Sequence, residues 1–197
     1  MPSKLYALCD YQTLVKFDIS LEQYLNICSK YDITYIQYRD KQNSIQIQKK
    51  NILYLKQNAV SSKNTNIPII INDKLELLEY CDGIHLGQED LESLCSRYKL
   101  IPITMIKLLR KKYQNKIIGI STHNELEILE TNKLDIDYIG LGAYRETNTK
   151  DVSNILGENI SYLAKISNYP VGAIGGVTLD DTIENISYNV IGSGLLK

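Results

Sequence analysis

Charged side chains directly follow several short apolar segments of this sequence. Arg39 and Lys41 come just after the apolar run that ends at Tyr38, while Asp73 and Asp90 follow two further runs. Arginine and lysine neutralise phosphate oxygens, and acidic oxygen ligands suit Mg²⁺ better than Zn²⁺. These residue types therefore predict a site for a magnesium-bound anion of high charge, if the fold brings them together.

Glycine-containing segments follow two other apolar runs. Gly175 and Gly176 come after one of them, and Gly192 and Ser193 come after the last. Glycines allow backbone N–H groups to approach an anion closely, which favours a phosphate site, although a glycine pair can also form a simple tight turn. A magnesium diphosphate beside a monophosphate indicates transfer of a group from a diphosphate ester to a phosphorylated acceptor.

Eight short apolar runs alternate with longer amphipathic stretches, as in repeated βα units. The predicted strands are Lys4 to Cys9, Ile33 to Tyr38, Pro68 to Ile71, Gly83 to Leu86, Ile117 to Ile120, Tyr138 to Leu141, Val171 to Ile174 and Asn189 to Ile191. Capping boxes predict four helix starts, at Ser20 with Gln23, Asn43 with Gln46, Asp73 with Glu76, and Thr122 with Glu125. Eight such units close naturally into a (β/α)8 TIM barrel, and an open doubly wound sheet is the alternative. In a barrel the segments after all eight strands meet at one rim.

Two segments depart from a regular repeat. The long connection from Leu91 to Lys116 is expected to hold two helical pieces that are split near Pro102. Only six residues follow Ile191, so the barrel is expected to lack a full last helix. The chain, residues 1–197, is predicted to form a single domain.

Composition excludes several classes of function. The formal net charge is −1 with 22 basic and 23 acidic residues, so no global positive field holds nucleic acid or an anionic membrane. No segment approaches the roughly 20 apolar residues of a membrane span, and the N-terminus lacks the apolar region of a signal peptide, which predicts a cytoplasmic protein. The four cysteines have no metal-like spacing and are expected to be reduced and buried. A homodimer contact on the side without a last helix is left open.

Six segments in this order resemble the motifs of the thiamine-phosphate synthases. They are Gln37-Tyr38-Arg39-Asp40-Lys41, Ile71-Asn72-Asp73, Gly83 to Asp90, Gly119 to His123, Thr147 to Lys150 and Ala173 to Gly176. The resemblance implies a TIM-barrel transferase that condenses hydroxymethylpyrimidine diphosphate with a thiazole phosphate. Its products are thiamine phosphate and diphosphate, its cofactor is Mg²⁺, and its partners are small phosphorylated substrates.

The resemblance also implies roles for individual residues. Gln37 contacts the pyrimidine or its diphosphate, and Asp73 and Asp90 bind Mg²⁺. The diphosphate is held by Arg39, Lys41, Asn72, Ser121 and Lys150, of which Arg39, Lys41, Ser121 and Lys150 are the expected catalytic residues. The thiazole phosphate is held by Thr147, Thr149, Gly176, Gly192 and Ser193.

Two other functions remain in view. The related thiazole tautomerases share the phosphate-binding end, but they typically lose several diphosphate-binding residues and carry a histidine where this chain has Ala143. The loop Gly142 to Thr147 also lacks the two prolines of the synthase pattern, and its Glu146-Thr147 pair is slightly tautomerase-like. A non-catalytic phosphate-binding barrel is the third hypothesis. The full set of diphosphate-binding residues favours the synthase.

Structural roles compete with these functional ones. Asp73 and Asp90 each lie near a helix start, where an aspartate can serve only as an N-cap worth ~1 kcal/mol. His85 is expected to be a satisfied, partly buried histidine, and His123 a helix-start residue. The cationic residues would be plain surface charges if the barrel assignment were wrong.

Overall fold

Eight parallel strands close into a barrel in the order of the chain. The computed structural model describes residues 3–146 and 155–196. The strands are β1 (Lys4–Asp10), β2 (Ile33–Arg39), β3 (Ile69–Asn72), β4 (Gly83–Leu86), β5 (Ile117–Thr122), β6 (Tyr138–Gly142), β7 (Val171–Ile174) and β8 (Tyr188–Ile191). Each predicted strand is present, and the closed barrel is confirmed over the open sheet.

Helices of uneven length cover the outside of the barrel. The α-helices are α1 (Tyr11–Lys16), α2 (Leu21–Cys28), α3 (Ile45–Asn58), α4 (Gln88–Tyr98), α5 (Pro102–Lys112), α6 (Glu125–Thr131) and α7 (Asn159–Ile166). Short 3₁₀ helices, Leu75–Tyr80 and Ser193–Leu196, follow β3 and β8. Residues 175–187, all of them described, form turns without a helix. The (β/α)8 pattern is therefore complete in its strands and reduced in three of its helical units.

The long connection between β4 and β5 splits into two helices as predicted. Helix α4 ends at Tyr98, and its C-cap Lys99 adopts a left-handed conformation with φ 53°. Helix α5 begins with Pro102 at its first position, where the missing N–H of proline costs nothing. The proline thus separates the two helices.

Three of the four predicted capping boxes are wrong. Ser20 does accept from the backbone N–H of Gln23, in a complete capping box. The N-cap of α3 is Ser44 rather than Asn43, and that of α6 is Asn124 rather than Thr122. The 3₁₀ helix after β3 starts from Lys74 without any side-chain cap. In each case the strand or its loop runs one or two residues further than predicted, which moves the cap along the chain.

Tyrosines fill the barrel interior. Tyr6, Tyr35 and Tyr138 meet there with ring centroids 5.5–6.1 Å apart. Glycines on the strands make room for these rings, since a Cβ at Gly119 would lie 2.1 Å from the Tyr138 ring. The larger aliphatic core lies between the strands and the surrounding helices. The four cysteines, all among the described residues, are buried and free, as expected.

Candidate active site at the carboxyl ends of the strands

The parallel strands bring most of the predicted site residues to one rim. Asp10 and Arg39 end neighbouring strands, Asn72 ends β3, and Ser121 lies near the end of β5. Because all eight strands run the same way, their carboxyl ends face the same mouth. Among the described residues, charged and polar side chains from distant parts of the sequence therefore share one rim.

A cleft of about 130 Å³ opens at this rim. Its lining consists of Asp40, Lys41, Asn72, Asp73, Lys74 and Asp90. The cleft combines carboxylates with two lysines, which suits a metal ion bound to an anion. Four predicted site residues, Lys41, Asn72, Asp73 and Asp90, thus line one cavity.

The carboxyl groups of Asp73 and Asp90 contact each other in this cleft. Burial, followed by the hydrogen-bonded and charged neighbour Asp90, raises the pKa of Asp73 to about 6, while Lys41 and the Gly87 N–H oppose the shift. Neither carboxylate is an N-cap: α4 begins from Gly87, and Asp90 lies in its first turn. The capping explanation is therefore wrong, and the pair holds concentrated negative charge.

Asp73 also has an unusual backbone conformation. Its φ is 63°, in the left-handed region that non-glycine residues seldom occupy. The Asp73 N–H donates to the carbonyl of His85, 3.0 Å away, and this bond ties the end of β3 to β4. Such a conformation costs about 1 kcal/mol or more and persists where the surroundings demand it, often at a functional site.

Arg39 does not line the cleft. Its guanidinium forms an ion pair with Asp10, whose side chain is only 5% exposed and also caps α1 through the backbone and hydroxyl of Thr13. The expectation that Arg39 binds the diphosphate stays a prediction, and such binding would have to compete with Asp10 for the guanidinium. Arg39 lies at the rim with its charge already partnered.

Asp40 organises the loop that carries Lys41. Its carboxylate accepts hydrogen bonds from the side chains of Gln12, Tyr38 and Asn43, each at 2.8 Å. Burial opposes ionisation, but these bonds and others from the loop backbone lower the pKa of Asp40 below its ordinary value. A fixed carboxylate thus holds the loop in place.

Ser121 lies near the end of β5 and is joined to His85 on the neighbouring strand. Its Oγ lies 2.9 Å from His85 Nε2, and its carbonyl accepts from Gln88 Nε2 at 2.6 Å. His85 is 8% exposed and both of its ring nitrogens have partners, as expected for a satisfied histidine. Burial lowers the pKa of His85 to about 4, so the ring is neutral at pH 7.

The loops after β6 and β7 are joined by hydrogen bonds and an ion pair, on the side of the mouth where the thiazole phosphate is expected. Gly176 has φ 66°, and a Cβ there would lie 2.7 Å from the Arg145 Cβ. Arg145 donates to the Gly176 carbonyl and forms a bidentate pair with Asp181 at 2.7 Å for both bonds. Gly175 and Gly176 are thus more than a tight turn, because their lack of side chains permits the close approach of the neighbouring loop.

Some predicted residues are placed less fully. Gly192 and Ser193 follow β8 at the same rim, where Ser193 opens a 3₁₀ helix. Thr147, Thr149 and Lys150 lie outside the described residues. The predicted sites for the thiazole phosphate and for the last diphosphate lysine therefore stay predictions.

A second, larger cavity of about 300 Å³ lies away from the acidic pair. Its lining includes Tyr144, Glu158, Thr182 and Glu184, and none of the predicted site residues. Two glutamates and little cationic charge make it a poor match for phosphorylated substrates. The smaller cleft has the matching chemistry.

Sequence reasoning missed four residues that shape the site. They are Asp10, which pairs with Arg39; Gln88, which holds the Ser121 carbonyl; and Tyr6 and Tyr138, whose hydroxyls meet at 2.8 Å inside the barrel. Strand alternation alone could have placed Tyr6 and Gln37 inside the barrel, but their contact depends on side-chain positions.

The acidic pair fits a magnesium ion. The cleft supplies two contacting carboxylates and the Asn72 amide, which are all hard oxygen donors. Within residues 3–146 and 155–196, no three histidine, cysteine or acidic side chains cluster as a complete metal cage. Mg²⁺ commonly binds through one or two carboxylates and completes its shell with waters and substrate phosphates.

Fold and rim together define a TIM barrel whose mouth carries charged and polar side chains. A sequence profile described as thiamine monophosphate synthase matches residues 5–194. The chain belongs to the thiamine monophosphate synthase family.

Individual relatives agree with this assignment. A thiamine-phosphate synthase of Staphylococcus epidermidis is 34% identical over 178 residues, covering 87% of this chain and 77% of that protein. One from Picrophilus torridus is 31% identical over 168 residues, covering 84% and 74%. A solved thiamine phosphate pyrophosphorylase from Pyrococcus furiosus aligns with a TM-score of 0.72 at 21% identity, covering 96% of this chain and 85% of that one. That structural likeness supports the fold alone.

Proposed function

We propose that this chain is a Mg²⁺-dependent thiamine-phosphate synthase. It joins hydroxymethylpyrimidine diphosphate to thiazole phosphate and releases diphosphate. The observation that carries the proposal is the contact between Asp73 and Asp90 beside Lys41, in one cleft of a chain that belongs to the synthase family. A tautomerase has no need of this cleft, because it releases no diphosphate.

The reaction exchanges one bond for another at the pyrimidine methylene. The C–O bond to the diphosphate breaks and its electron pair leaves with the diphosphate oxygen. The thiazole nitrogen then donates its lone pair to the carbocation-like methylene and forms the new C–N bond. The protein therefore has to stabilise a growing anion and exclude water, and it needs no nucleophile of its own.

Lys41 and the acidic pair of Asp73 and Asp90 have different roles in the cleft. Lys41 neutralises charge on the departing diphosphate, with Arg39 nearby at the end of β2 and Lys150 as the expected third cation. Asp73 and Asp90 would hold a Mg²⁺ ion, which when bound would supply Lewis-acid stabilisation to the leaving diphosphate. Asn72 and Gln37 orient the substrate through their amides, which are joined at 2.7 Å.

The opposite end of the mouth receives the acceptor. The turn at Gly175 and Gly176, fixed by Arg145, presents backbone groups near the end of β8. Backbone N–H groups of Gly192 and Ser193, with the hydroxyls of Thr147 and Thr149, would then hold the thiazole phosphate. This arrangement would set the thiazole nitrogen beside the pyrimidine methylene.

Product analysis tests the proposal. The purified chain is incubated with both substrates and Mg²⁺, and diphosphate and thiamine phosphate are quantified together. The synthase predicts equal amounts of both products, and none when Mg²⁺ is chelated. Isomerisation of the thiazole without diphosphate release would indicate a tautomerase, and tight thiazole-phosphate binding with neither activity would indicate a binding protein.

Other expectations concern the surroundings of the enzyme. None of the helices among the described residues is long and apolar enough to cross a membrane. We propose a cytoplasmic location, small phosphorylated substrates rather than nucleic acid, and a homodimer that covers the side without a last helix. Light scattering of the purified chain measures the oligomeric state.

A further inference from the structure

An unbroken line of hydrogen-bonded side chains crosses the barrel beneath the mouth. It runs from Ser121 through His85, Tyr138, Tyr6, Gln37 and Asn72 to Asp73. The links from Ser121 to Asn72 measure 2.7–3.0 Å, and Asn72 Nδ2 donates to the Asp73 carboxylate. Six of the strands that form the barrel contribute these side chains.

Burial strengthens the dependence of the central groups of this line on one another. Tyr6 and Tyr138 are 1% and 2% exposed, Gln37 is 5% exposed and His85 is 8% exposed. A buried polar group that loses its partner costs about 1–3 kcal/mol, so each hydroxyl, amide and ring nitrogen is held to its neighbour. The central groups are closed off from bulk solvent, so each depends on its hydrogen-bonded neighbour.

The carboxylate at one end fixes the direction of every bond. An ionised or metal-bound carboxylate accepts only, so Asn72 must turn its NH₂ group toward Asp73 and its oxygen toward Gln37. Gln37 then donates to Asn72 through Nε2, which leaves Oε1 to accept from the Tyr6 hydroxyl. The first half of the line is thereby oriented.

The same reasoning continues to Ser121. The Tyr6 hydroxyl donates its hydrogen bond to Gln37, so the Tyr6 oxygen accepts from the Tyr138 hydroxyl. The Tyr138 oxygen in turn accepts from His85 Nδ1–H. A neutral histidine with its proton on Nδ1 leaves Nε2 as an acceptor, which takes the hydroxyl proton of Ser121. Each group between the two ends donates once along the line and accepts once.

We infer that Tyr6, Tyr138 and His85 are positioning residues that couple the acidic pair to Ser121 and turn the Ser121 oxygen toward the substrate as an acceptor. A hydroxyl that donates its hydrogen bond to His85 accepts hydrogen bonds from substrate N–H groups and does not donate to phosphate. This changes the expected role of Ser121, from holding the diphosphate to orienting a nitrogen-bearing ring. The inference rests on the proposed function only for the identity of that ring.

Nuclear magnetic resonance tests the direction of the line without any turnover. The chain has two histidines, so ¹⁵N-histidine labelling gives two ring systems, and a His123→Gln variant assigns them. We expect the Nδ1–H form of His85 in the wild-type protein. In Tyr6→Phe, the Tyr138 hydroxyl loses its acceptor and turns to His85 Nδ1, so the ring is expected to switch to the Nε2–H form. Wild-type His85 in the Nε2–H form, or an unchanged ring in the variant, would overturn the inference.

A second variant keeps the inference testable if Tyr6→Phe does not fold. Tyr138→Phe removes the direct partner of His85 Nδ1 and is expected to move the ring proton to Nε2 as well. Tyr35→Phe is the matched control, because Tyr35 stacks on Tyr138 in the same interior with ring centroids 6.1 Å apart, but stands outside the line. The control is expected to leave His85 in the Nδ1–H form, and a tautomer change in it would count against the inference.

Steady-state kinetics of the same variants test whether the line affects substrate binding and turnover. Tyr6→Phe and Tyr138→Phe are expected to lower kcat/KM for the pyrimidine diphosphate about tenfold, with the KM for thiazole phosphate within about twofold of wild type. Tyr35→Phe is expected to keep both constants within about twofold. Equal losses in all three variants, or none in the first two, would refute the positioning role. A correct tautomer in a chain that makes no thiamine phosphate would refute the proposed function and leave the line intact.

Discussion

Asp73 and Asp90 press two carboxyl groups together at the rim of the barrel. Their contact, the burial of Asp73 and its left-handed backbone all oppose stability, and the first two raise the pKa of Asp73 to about 6. A folded chain gains nothing from such a pair by itself. A cation between the two groups would remove this repulsion, which is why we propose a metal site at the end of β3.

Removing one of these charges should separate stability from activity. The folded-state pKa of Asp73 lies above the ordinary 3.8, so its ionisation weakens folding progressively as the pH rises from about 4 through 6. At pH 8 without metal, Asp73→Asn is expected to be about 1–2 kcal/mol more stable than wild type by urea unfolding. Its turnover with Mg²⁺ is expected to fall about 100-fold or more.

A carboxylate at the other end of the barrel serves as the control for that variant. Asp82 accepts from the Ile69 N–H at 2.8 Å and pairs with Lys56, before β4 begins. Asp82→Asn is expected to lower stability and leave kcat near the wild-type value. The reverse pattern, with normal turnover in Asp73→Asn, would contradict the metal role.

The pair between Arg39 and Asp10 combines a structural and a functional charge. Arg39→Ala leaves the carboxylate of Asp10 almost buried without its partner, which is expected to cost about 2–3 kcal/mol. In Arg39→Ala/Asp10→Asn the buried charge is gone, and the amide introduced at position 10 still offers an oxygen to cap α1. We expect the double variant to recover most of the unfolding free energy but not the KM for the pyrimidine diphosphate. Recovery of both would mean that Arg39 serves the fold alone.

The turn after β7 should control binding of the second substrate. Gly176→Ala introduces a Cβ 2.7 Å from the Arg145 Cβ and 2.9 Å from the Glu146 carbonyl oxygen, at a φ of 66°. The loop must shift, and the KM for thiazole phosphate is expected to rise about tenfold, while the KM for the pyrimidine diphosphate stays near wild type. Gly157→Ala provides the comparison, because its φ is 51° but no atom lies within 4 Å of the added Cβ. If the two variants bind thiazole phosphate equally well, the close approach at Gly176 has no role in binding.

The ion pair between Arg145 and Asp181 predicts a pH dependence of folding. The hydrogen bonds from Arg145 lower the pKa of Asp181 from 3.8 to about 2. The stability from this group is present above pH 4 and is lost as the pH falls toward 2. Since Arg145 is 46% exposed, we expect about 1 kcal/mol between wild type and Asp181→Asn at pH 7. Urea unfolding at pH 7 and about pH 2.5 measures the difference, which should fall to less than half at the lower pH. A constant difference would show that the charge of Asp181 is not involved.

Sequence patterns predicted the barrel well because strands leave local marks. The apolar runs from Gly83 to Leu86 and from Val171 to Ile174 match β4 and β7 residue for residue. Helix starts were harder, since Asn43 and Ser44 are both good caps, and in the structure Ser44 caps α3 while Asn43 bonds the Asp40 carboxylate. The partner of Arg39 and the line beneath the mouth could not be predicted, because they depend on the positions of side chains that are far apart in the sequence.

Metal binding tests the central claim most directly. Mn²⁺, as a paramagnetic substitute for Mg²⁺, is titrated into the chain with inorganic diphosphate and followed by electron paramagnetic resonance. We expect one tight Mn²⁺ in the wild-type protein and its loss in both Asp73→Asn and Asp90→Asn, with Asp82→Asn unchanged. Undiminished Mn²⁺ binding in the two cleft variants would contradict a metal–diphosphate site at this rim.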